Sequence, residues 1–355
     1  MAPNILITGG SGYLGGSLLE HLKSSDNTVS AHGNVYALVR TNEQEKQVKA
    51  LYNATPIIIN LSDQAEITKK LLDNEISIVF YLIDAFKPDT QLLLINALEA
   101  VSKKLNVTTH FLHTSGAKLF SGFVGHPTDR RFSDADENLF ELQKHRQSKF
   151  EPMAKATDAN STIIEAAEAK GVRSYIFIPC IVYGKGTGFG NKISIQTTDI
   201  VRAAKAIRRV RKVDDLNGVW PVSSLHDTVT LYAHLLSRMA TGKDIGYNKN
   251  GYYMAAAGSL PWVDIYAAMA KALAKRGVVD SPEVGDVSDD ALEKVAQAMK
   301  CPKVFVPVSM GGVCRLQADH GKAIGWTPRD SAEHILAAAD DEVDLILQSL
   351  RSSSI

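Results

Sequence analysis

Residues 4–22, NILITGGSGYLGGSLLEHL, limit the possible folds of this chain more than any other stretch. The apolar run from Ile5 to Ile7 is typical of a strand buried on both faces of a sheet. Leucines within and after the glycines recur at helical spacing, so the glycine-rich turn joins a strand to a helix. In that setting the free N–H groups and the positive dipole end of the helix favour a bound pyrophosphate. The alternative is a glycine-rich turn that binds no ligand.

The residues of this turn have separate tasks in a dinucleotide-binding motif. Gly9 allows the tight turn, Gly12 lets the backbone approach a pyrophosphate, and Gly15 lets the helix pack closely against the strand. Tyr13 and Leu14 open the helix, where the N–H groups have no partner within the helix. These five residues are therefore the first cofactor-binding candidates.

A second predicted strand, VYALVR, ends at Arg40. In NAD-binding proteins an acidic residue near this point binds the ribose hydroxyls, whereas an arginine accommodates a 2′-phosphate. The sequence therefore predicts NADP(H) as the cofactor in preference to NAD(H). The alternative is an ordinary surface arginine that follows a strand.

Apolar runs and helical patterns then alternate along the chain as far as about residue 190. The predicted strands are residues 56–60, 76–82, 109–115 and 174–179, and the predicted helices are residues 64–72, 90–105 and 153–169. This alternation predicts an α/β fold, a Rossmann-type doubly wound parallel sheet with right-handed crossovers and helices on both faces. Ligands bind such sheets at the carboxyl ends of the strands. The cofactor candidates at those ends are Asn60, Leu61, Ile83, Thr114 and Pro179.

The alternation stops after residue 190. Amphipathic helical patterns follow, with a short strand-like run, GYYMAAAG, between two of them. We expect a Rossmann domain over residues 1–190 and a smaller, mostly helical substrate lobe over residues 191–355, with some exchange of strands between the two. With 355 residues, 45% of them hydrophobic, the chain is long enough for both units.

The charge balance of the chain argues against several classes of partner. Lysine and arginine together number 39, as do aspartate and glutamate, so nothing favours nucleic acid or an anionic membrane. The cysteines, Cys180, Cys301 and Cys314, show no CxxC spacing, which argues against a disulfide framework or a zinc site. We find no secretory signal pattern and no apolar run of membrane-spanning length. We therefore expect a cytoplasmic protein whose partner is a small-molecule substrate.

Motifs spread over nearly the whole chain resemble those of one enzyme family. TGGSGYLG is similar to the TGxxGxxG turn of the extended short-chain dehydrogenases/reductases, of the NAD-dependent epimerase/dehydratase type. RSYIFIPCIVYGKG is similar to the segment that precedes the nicotinamide pocket of that family, and the resemblance adds Val182 to the cofactor candidates. WPVSSLHDTVTLYAHLL and GKAIGWTP resemble two of its later motifs. Because members of the family often dimerise, the resemblance also makes a homodimer an expectation.

The chain departs from the family in its catalytic residues. The family has a Ser or Thr after the fifth strand and a Tyr-x-x-x-Lys pair on the next helix, and the tyrosine transfers a proton. In this chain the stretch HTSGAKLFSG follows the fifth predicted strand. Gly116 stands at the serine position, with Ser115 one residue before it.

The helix that should carry the tyrosine and lysine has neither at the expected spacing. An alignment through Glu165 and Gly171 places Thr157 at the tyrosine position and Ser161 at the lysine position. We expect both side chains to face the cofactor side of the cleft. Since a threonine hydroxyl is a poor acid near neutral pH, any proton transfer at this site needs an activating neighbour or another donor.

The candidate catalytic residues are Ser115, Lys118 and Thr157. Lys118 follows the predicted strand end by three residues and can project into the pocket, and its alternative is a solvated loop lysine. Asp84 either faces the substrate with a raised pKa or bonds a backbone N–H group. His113 lies inside a predicted strand and is expected in the core.

Three functions remain open at this stage. The first is an atypical NADP(H)-dependent reductase of a ketone, imine or conjugated small molecule, a kind of diverged member that fungal specialised metabolism uses. The second is a non-redox isomerase, cyclase or dehydratase on the same fold. The third is a regulator that resembles the NmrA-like proteins, which bind the dinucleotide without turnover. The intact glycine turn and Arg40 favour the first two functions, and the missing tyrosine and lysine favour the last two.

Overall fold

The computed structural model describes residues 2–24, 32–146, 148 and 150–352. Its strands are β1 (Asn4–Ile7), β2 (Val35–Leu38), β3 (Thr55–Ile57), β4 (Ile76–Tyr81), β5 (His110–Thr114), β6 (Phe132–Ser133), β7 (Arg173–Pro179), β8 (Ile181–Tyr183), β9 (Val219–Ser224), β10 (Tyr252–Ala255), β11 (Gly258–Pro261) and β12 (Leu316–Gln317). Its helices are α1 (Tyr13–Lys23), α2 (Asn42–Tyr52), α3 (Gln64–Asp73), α4 (Asp89–Leu105), α5 (Leu139–Lys144), α6 (Glu151–Ala169), α7 (Gln196–Ile207), α8 (Leu225–Ala240), α9 (Trp262–Lys275), α10 (Asp289–Met299), α11 (Phe305–Met310), α12 (Asp319–Ala323), α13 (His334–Ala337) and α14 (Ala339–Ser352). Within these ranges no helix combines the length and the apolar character needed to cross a membrane.

Seven strands form one parallel sheet, in the spatial order β10, β7, β5, β4, β1, β2, β3. Each neighbouring pair in this sheet is parallel. All residues of β4 are buried, as expected for a strand that helices cover on both faces. The chain order runs outward in both directions from β1 and β4, so the predicted doubly wound Rossmann sheet is confirmed. The ligand-binding crevice of such a sheet lies at the carboxyl ends of these two strands.

Local capping shows how α1 differs from α2 and α3. The Thr41 hydroxyl accepts a hydrogen bond from the Gln44 N–H group at the start of α2, and the Asp63 carboxylate caps two N–H groups of α3. α1 begins after Gly12 without a side-chain cap. Its first N–H groups are therefore left for an acceptor outside the helix, such as a phosphate.

The part of the chain after residue 190 is closely joined to the part before it. β10 lies beside β7 in the main sheet, and β9 lies between β8 and β11 in a three-stranded sheet. β12 pairs with β6 in a two-stranded sheet. This region thus contributes β10, where the run GYYMAAAG indicated a strand, and further strands that no pattern indicated, in addition to the predicted helices. The last helical stretch of the chain is divided at Ala338 into α13 and α14.

A buried carboxylate ties the last helix to the segment between β8 and α7. Glu342 of α14 is 3% exposed. Its oxygens accept hydrogen bonds from the Gly184 N–H group at 2.9 Å, from Ser194 Oγ at 3.0 Å and from Thr197 Oγ1 at 2.7 Å. Donors to a buried carboxylate offset the cost of removing it from water. The contact therefore fixes both ends of this segment.

We expect Glu342→Gln to lower the free energy of unfolding by about 1–3 kcal/mol, because charge-assisted hydrogen bonds become weaker neutral ones. Urea denaturation measures this change. Asp341→Asn, at the exposed neighbouring position of the same helix, is the matched control and should stay within about 0.5 kcal/mol of the wild type. Equal unfolding midpoints for the two variants would show that the buried carboxylate does not hold the segment.

Candidate active site

A cavity of about 330 Å³ lies at the carboxyl ends of the central strands. Its walls come from the start of α1, the loops after β4 and β5, one face of α6, the end of β7 with β8, and the segment before α7. Four cofactor candidates line it. They are Tyr13, Leu14, Pro179 and Val182. Two of the three catalytic candidates line it as well, and they are Ser115 and Lys118.

The glycine turn forms a backbone cradle at one end of this cavity. Gly9 has a φ of +71°, and its carbonyl accepts a hydrogen bond from the Gly12 N–H group at 2.8 Å. A Cβ atom on Gly15 would lie 2.3 Å from the Gly9 carbonyl oxygen, so helix and strand meet this closely only with glycine there. A Cβ atom on Gly12 would lie 3.1 Å from the same oxygen. This geometry fits the separate tasks that the sequence predicted for the three glycines.

The segment after β8 packs against the outside of the same turn. The N–H groups of Gly190 and Asn191 donate to the Ser11 carbonyl at 2.9 and 3.2 Å. A Cβ atom on Gly188 would lie 2.2 Å from the Gly12 carbonyl oxygen, so the two backbones touch without side chains between them. This segment leads from the glycine turn to Asn191, which lines the cavity.

Other cofactor candidates follow the ends of β2, β3 and β4, outside the cavity. Arg40 comes two residues after β2 with an exposed side chain, and its N–H group donates to Gln44 Oε1 at 2.8 Å. Asn60 and Leu61 follow β3, and Ile83 follows β4 with 52% of its surface exposed. Because the carboxyl ends of parallel strands share one edge of a sheet, these residues extend that edge beyond the cavity.

Thr114 and Ser115, at the end of β5, have different surroundings. Thr114 Oγ1 and the Tyr232 hydroxyl lie 2.7 Å apart, so Thr114 bonds to α8 instead of lining the cavity. The Ser115 N–H group donates to the Phe177 carbonyl at 2.8 Å, which fixes its backbone beside β7. Ser115 Oγ is buried and has no hydrogen-bond partner in the described part of the chain. Its hydroxyl is therefore available to a ligand.

Lys118 lies in a short 3₁₀ helix, Ala117–Phe120, that follows β5. Its side chain is half-buried and lines the cavity, so the alternative of a solvated loop lysine is not what the structure shows. Burial lowers the pKa of Lys118 from its ordinary value, while the carboxylate of Asp199 opposes that shift. Burial raises the pKa of Asp199, and Lys118 opposes that change in turn. Desolvation therefore outweighs the attraction between the two groups.

The prediction that Thr157 and Ser161 face the cleft is wrong. Thr157 is 1% exposed, its hydroxyl donates to the Met153 carbonyl within α6 at 2.8 Å, and neither predicted residue lines the cavity. The side chains of α6 that do line it are Met153 and Ala156. The error comes from the alignment through Glu165, which is exposed and pairs with a lysine instead of facing the core.

Asp84 and His113 both adopt the structural roles that the sequence left open for them. Asp84 Oδ1 accepts a hydrogen bond from the Phe86 N–H group at 2.7 Å, so its carboxylate stabilises the turn after β4. His113 is fully buried in β5, and burial lowers its pKa to about 3. A neutral core histidine of this kind does not exchange protons with a ligand near neutral pH.

A sequence model of the NAD dependent epimerase/dehydratase family matches residues 5–248. The chain belongs to this family. The resemblance found in its motifs is thereby confirmed. No match was found among the curated proteins compared with the chain.

Solved structures of other epimerase/dehydratase-type enzymes share the fold. UDP-glucose 4-epimerase from Thermotoga maritima, solved with UDP-glucose, is 15% identical with a TM-score of 0.61, and the match covers 97% of this chain and 99% of that one. dTDP-glucose 4,6-dehydratase from Bacillus anthracis, in complex with NAD, is 11% identical with a TM-score of 0.65, and 97% of each chain is covered. WbmH from Bordetella bronchiseptica, in complex with NAD⁺, is 16% identical with a TM-score of 0.58, covering 96% of this chain and 97% of that one. At such identities the likeness shows the fold alone.

Sequence reasoning missed one wall of the site in this family member. Asn191, Ser194, Ile195 and Gln196 line the cavity, together with Trp220 of β9. No short motif marks these residues. Trp220 reaches the cavity because β9 pairs with β8, some forty residues earlier in the chain. The signal that could have found Trp220 is the family-like stretch WPVSSLHD, which begins with it.

We expect Gly12→Ala to weaken the binding of NADPH at least tenfold, or about 1.4 kcal/mol. The added Cβ atom would occupy the space where the backbone meets a pyrophosphate. Because that atom would lie 3.1 Å from the Gly9 carbonyl oxygen, a shift of a few tenths of an ångström accommodates it and the fold should persist. Isothermal titration calorimetry measures the affinity.

Gly15→Ala provides the contrasting variant. Its Cβ atom would lie 2.3 Å from the Gly9 carbonyl oxygen, so this change should lower the thermal unfolding midpoint, whereas Gly12→Ala should change it little. If Gly12→Ala keeps both the wild-type midpoint and the wild-type affinity, the turn does not bind the dinucleotide.

Proposed function

We propose that this family member is an NADP(H)-dependent reductase of a small ketone, imine or conjugated molecule, with Lys118 as the proton donor. The observation that carries the proposal is the position of Lys118. Among the described residues that line the cavity, Lys118 is the single charged side chain. Ser115 lines the cavity at the same strand end, so an ammonium group and a hydroxyl flank one side of it.

The residues at the edge of the sheet fit a dinucleotide. Gly9 and Gly12 form the backbone cradle that a Cβ atom would fill, and Tyr13 and Leu14 open a helix without a side-chain cap. The exposed side chain of Arg40 follows β2, where an arginine accommodates a 2′-phosphate in proteins of this fold. When bound, the dinucleotide supplies the hydride.

Burial controls the acidity of Lys118. Apolar surroundings lower its pKa, and a lysine ammonium with a lowered pKa gives up its proton more readily. A substrate oxygen or nitrogen that gains negative charge is the natural acceptor of that proton. The Ser115 hydroxyl can donate a hydrogen bond to the same atom and stabilise its charge. α6 cannot take over this task at the cavity, because Met153 and Ala156 have no proton to give.

A non-redox isomerase, cyclase or dehydratase is the second candidate. Its support is the apolar face of α6, where Met153 and Ala156 line the cavity on the helix that carries the proton-transferring pair in the family. A lysine ammonium can protonate a double bond or a leaving group without hydride transfer. The ratio of NADPH consumed to product formed separates the two candidates, since a non-redox enzyme consumes none.

We expect Lys118→Met to lower kcat by about 10²–10⁴-fold, the usual effect of removing a general acid. Methionine keeps the apolar stem of the side chain but donates no proton. The assay is NADPH oxidation with the most active compound from a screen of ketones, imines and enones. Lys155→Met removes an exposed lysine of α6 that pairs with Glu151, and as the matched control it should keep the wild-type kcat. Equal rates for the two variants would contradict the assignment of Lys118.

The dependence of kcat on pH should reveal the titration of Lys118 as well. Since a general acid acts in its protonated form, wild-type kcat should fall as the pH rises through the pKa of Lys118, which lies below the ordinary lysine value. The residual kcat of Lys118→Met should not show this fall. A decline at the same pH in wild type and variant would assign the titration to another group.

We expect Arg40→Ala to weaken NADPH binding by about 10–100-fold and to leave NADH binding nearly unchanged, because a charge-assisted hydrogen bond to the 2′-phosphate is worth about 1.5–3 kcal/mol. Calorimetry with both dinucleotides measures the two affinities. Lys49→Ala removes another exposed cation, two turns further along α2, and should change neither affinity. Equal losses for NADPH and NADH in Arg40→Ala would mean that Arg40 does not read the 2′-phosphate.

A further inference from the structure

Most of the side chains that line the cavity are apolar. Tyr13, Phe86, Met153, Ile195 and Trp220 supply large side chains from five separate elements. Ser115 and Lys118 supply a hydroxyl and an ammonium group at one strand end, and Gln196 supplies an amide at the start of α7. A ligand that matches this lining has a hydrocarbon body and a polar group at one end.

Two polar side chains on the opposite wall, Ser194 and Asn191, already bond within the protein through their oxygens. The Ser194 hydroxyl donates to the buried carboxylate of Glu342 at 3.0 Å. Asn191 Oδ1 accepts a hydrogen bond from the Ile193 N–H group at 3.1 Å. This wall therefore offers a ligand less hydrogen bonding than its composition implies.

The charges around the cavity do not suit a nucleoside diphosphate. Proteins bind diphosphates with several cations or N–H groups that point at the phosphate oxygens. Here Lys118 is the single lining cation of the described residues, and Asp199 lies close enough to affect its pKa. Glu342 places another carboxylate directly behind the wall at Ser194. Lys118 is one cation against the two carboxylates of Asp199 and Glu342, and the exposed Arg202 lies 3.9 Å from Asp199. A diphosphate in this cavity would therefore not meet a cluster of free cations.

The rim of the cavity exposes large apolar side chains. Phe86 is 46% exposed and Ile195 is 67% exposed, and both line the cavity. An apolar side chain at the mouth of a cavity loses its contact with water when an apolar ligand binds. The rim therefore favours a ligand with a hydrocarbon surface.

We propose that the cavity binds an apolar carbonyl compound without a phosphate group and discriminates against sugar nucleotides. The carbonyl oxygen lies toward Ser115 and Lys118, and the hydrocarbon body contacts Phe86, Met153 and Ile195. This assignment rests on the proposed function, because it takes the acceptor of the Lys118 proton to be the ligand's carbonyl oxygen. By this assignment the ligand of the chain differs in class from UDP-glucose, with which the Thermotoga maritima 4-epimerase was solved.

The test compares two classes of ligand on the full chain saturated with NADP⁺, which has no hydride to transfer, so that the ketones bind without being reduced. Isothermal titration calorimetry measures the affinities of benzylacetone, α-tetralone and 2-octanone, and of UDP-glucose and dTDP-glucose. At least one ketone should bind at least tenfold more tightly than either sugar nucleotide, or about 1.4 kcal/mol. A sugar nucleotide that binds as tightly as the best ketone overturns the proposal, and so does the absence of binding by all three ketones.

A rim variant tests whether the ketone occupies this cavity. Ile195→Asp replaces an exposed apolar side chain, so the fold should persist. The substitution should weaken the binding of the most tightly bound ketone at least tenfold. Val263→Asp, at a 43% exposed position of α9 away from the cavity, is the matched control and should leave the affinity unchanged. Equal ketone affinity in the two variants would place the ligand elsewhere and overturn the proposal.

Failure of this inference and failure of the proposed function give different results. If the ketone binds and Ile195→Asp weakens it, but NADPH is not oxidised, the ligand class stands and the reductase is wrong. If NADPH is oxidised with a ketone but a sugar nucleotide binds as tightly as the best ketone, the enzyme is a reductase and the ligand class is wrong.

Discussion

Direct packing of backbone against backbone at the glycine turn is the constraint on which the site depends. Inside the turn, Gly15 meets the Gly9 carbonyl, and outside it Gly188 meets the Gly12 carbonyl, with no room for a Cβ atom at either contact. The first contact places the uncapped start of α1 at the cavity. The second places the segment that leads to the opposite wall. Because both contacts use the same few residues, the glycine turn and the opposite wall of the cavity hold a fixed relation, and Glu342 bonds to both ends of that segment.

The central sheet could be predicted because its signals are local. Each buried strand is a short apolar run, each crossover helix has its own periodicity, and the alternation of the two permits few topologies. The small sheets could not be predicted in this way. β8, β9 and β11 are short, and their pairing joins residues that lie far apart in the sequence. A run such as GYYMAAAG indicates a strand, but nothing within it shows that β10 extends the main sheet beside β7.

The site was predictable to the extent that it depends on strand ends. Ser115 and Lys118 follow β5 directly, so their position at the cavity follows from the topology of the sheet. The helix side was not predictable, because a change of one residue in register rotates a helical side chain by about 100°. The register was taken from Glu165, and a carboxylate on the exposed face of α6 is a poor reference for its buried face. The side chains that line the cavity are Met153 and Ala156, which carry no catalytic signature.

The apolar face of α6 and Lys118, whose pKa is lowered, meet at the same cavity. Met153 and Ala156 line it together with Lys118, and burial lowers the pKa of Lys118 in spite of the attraction of Asp199. A wall with several cations would bind phosphate better. In the proposed function the apolar lining makes Lys118 a better acid, and it also leaves few groups that could hold a diphosphate. The proposed acidity of Lys118 and the proposed selectivity for an apolar carbonyl compound would therefore follow from the same side chains.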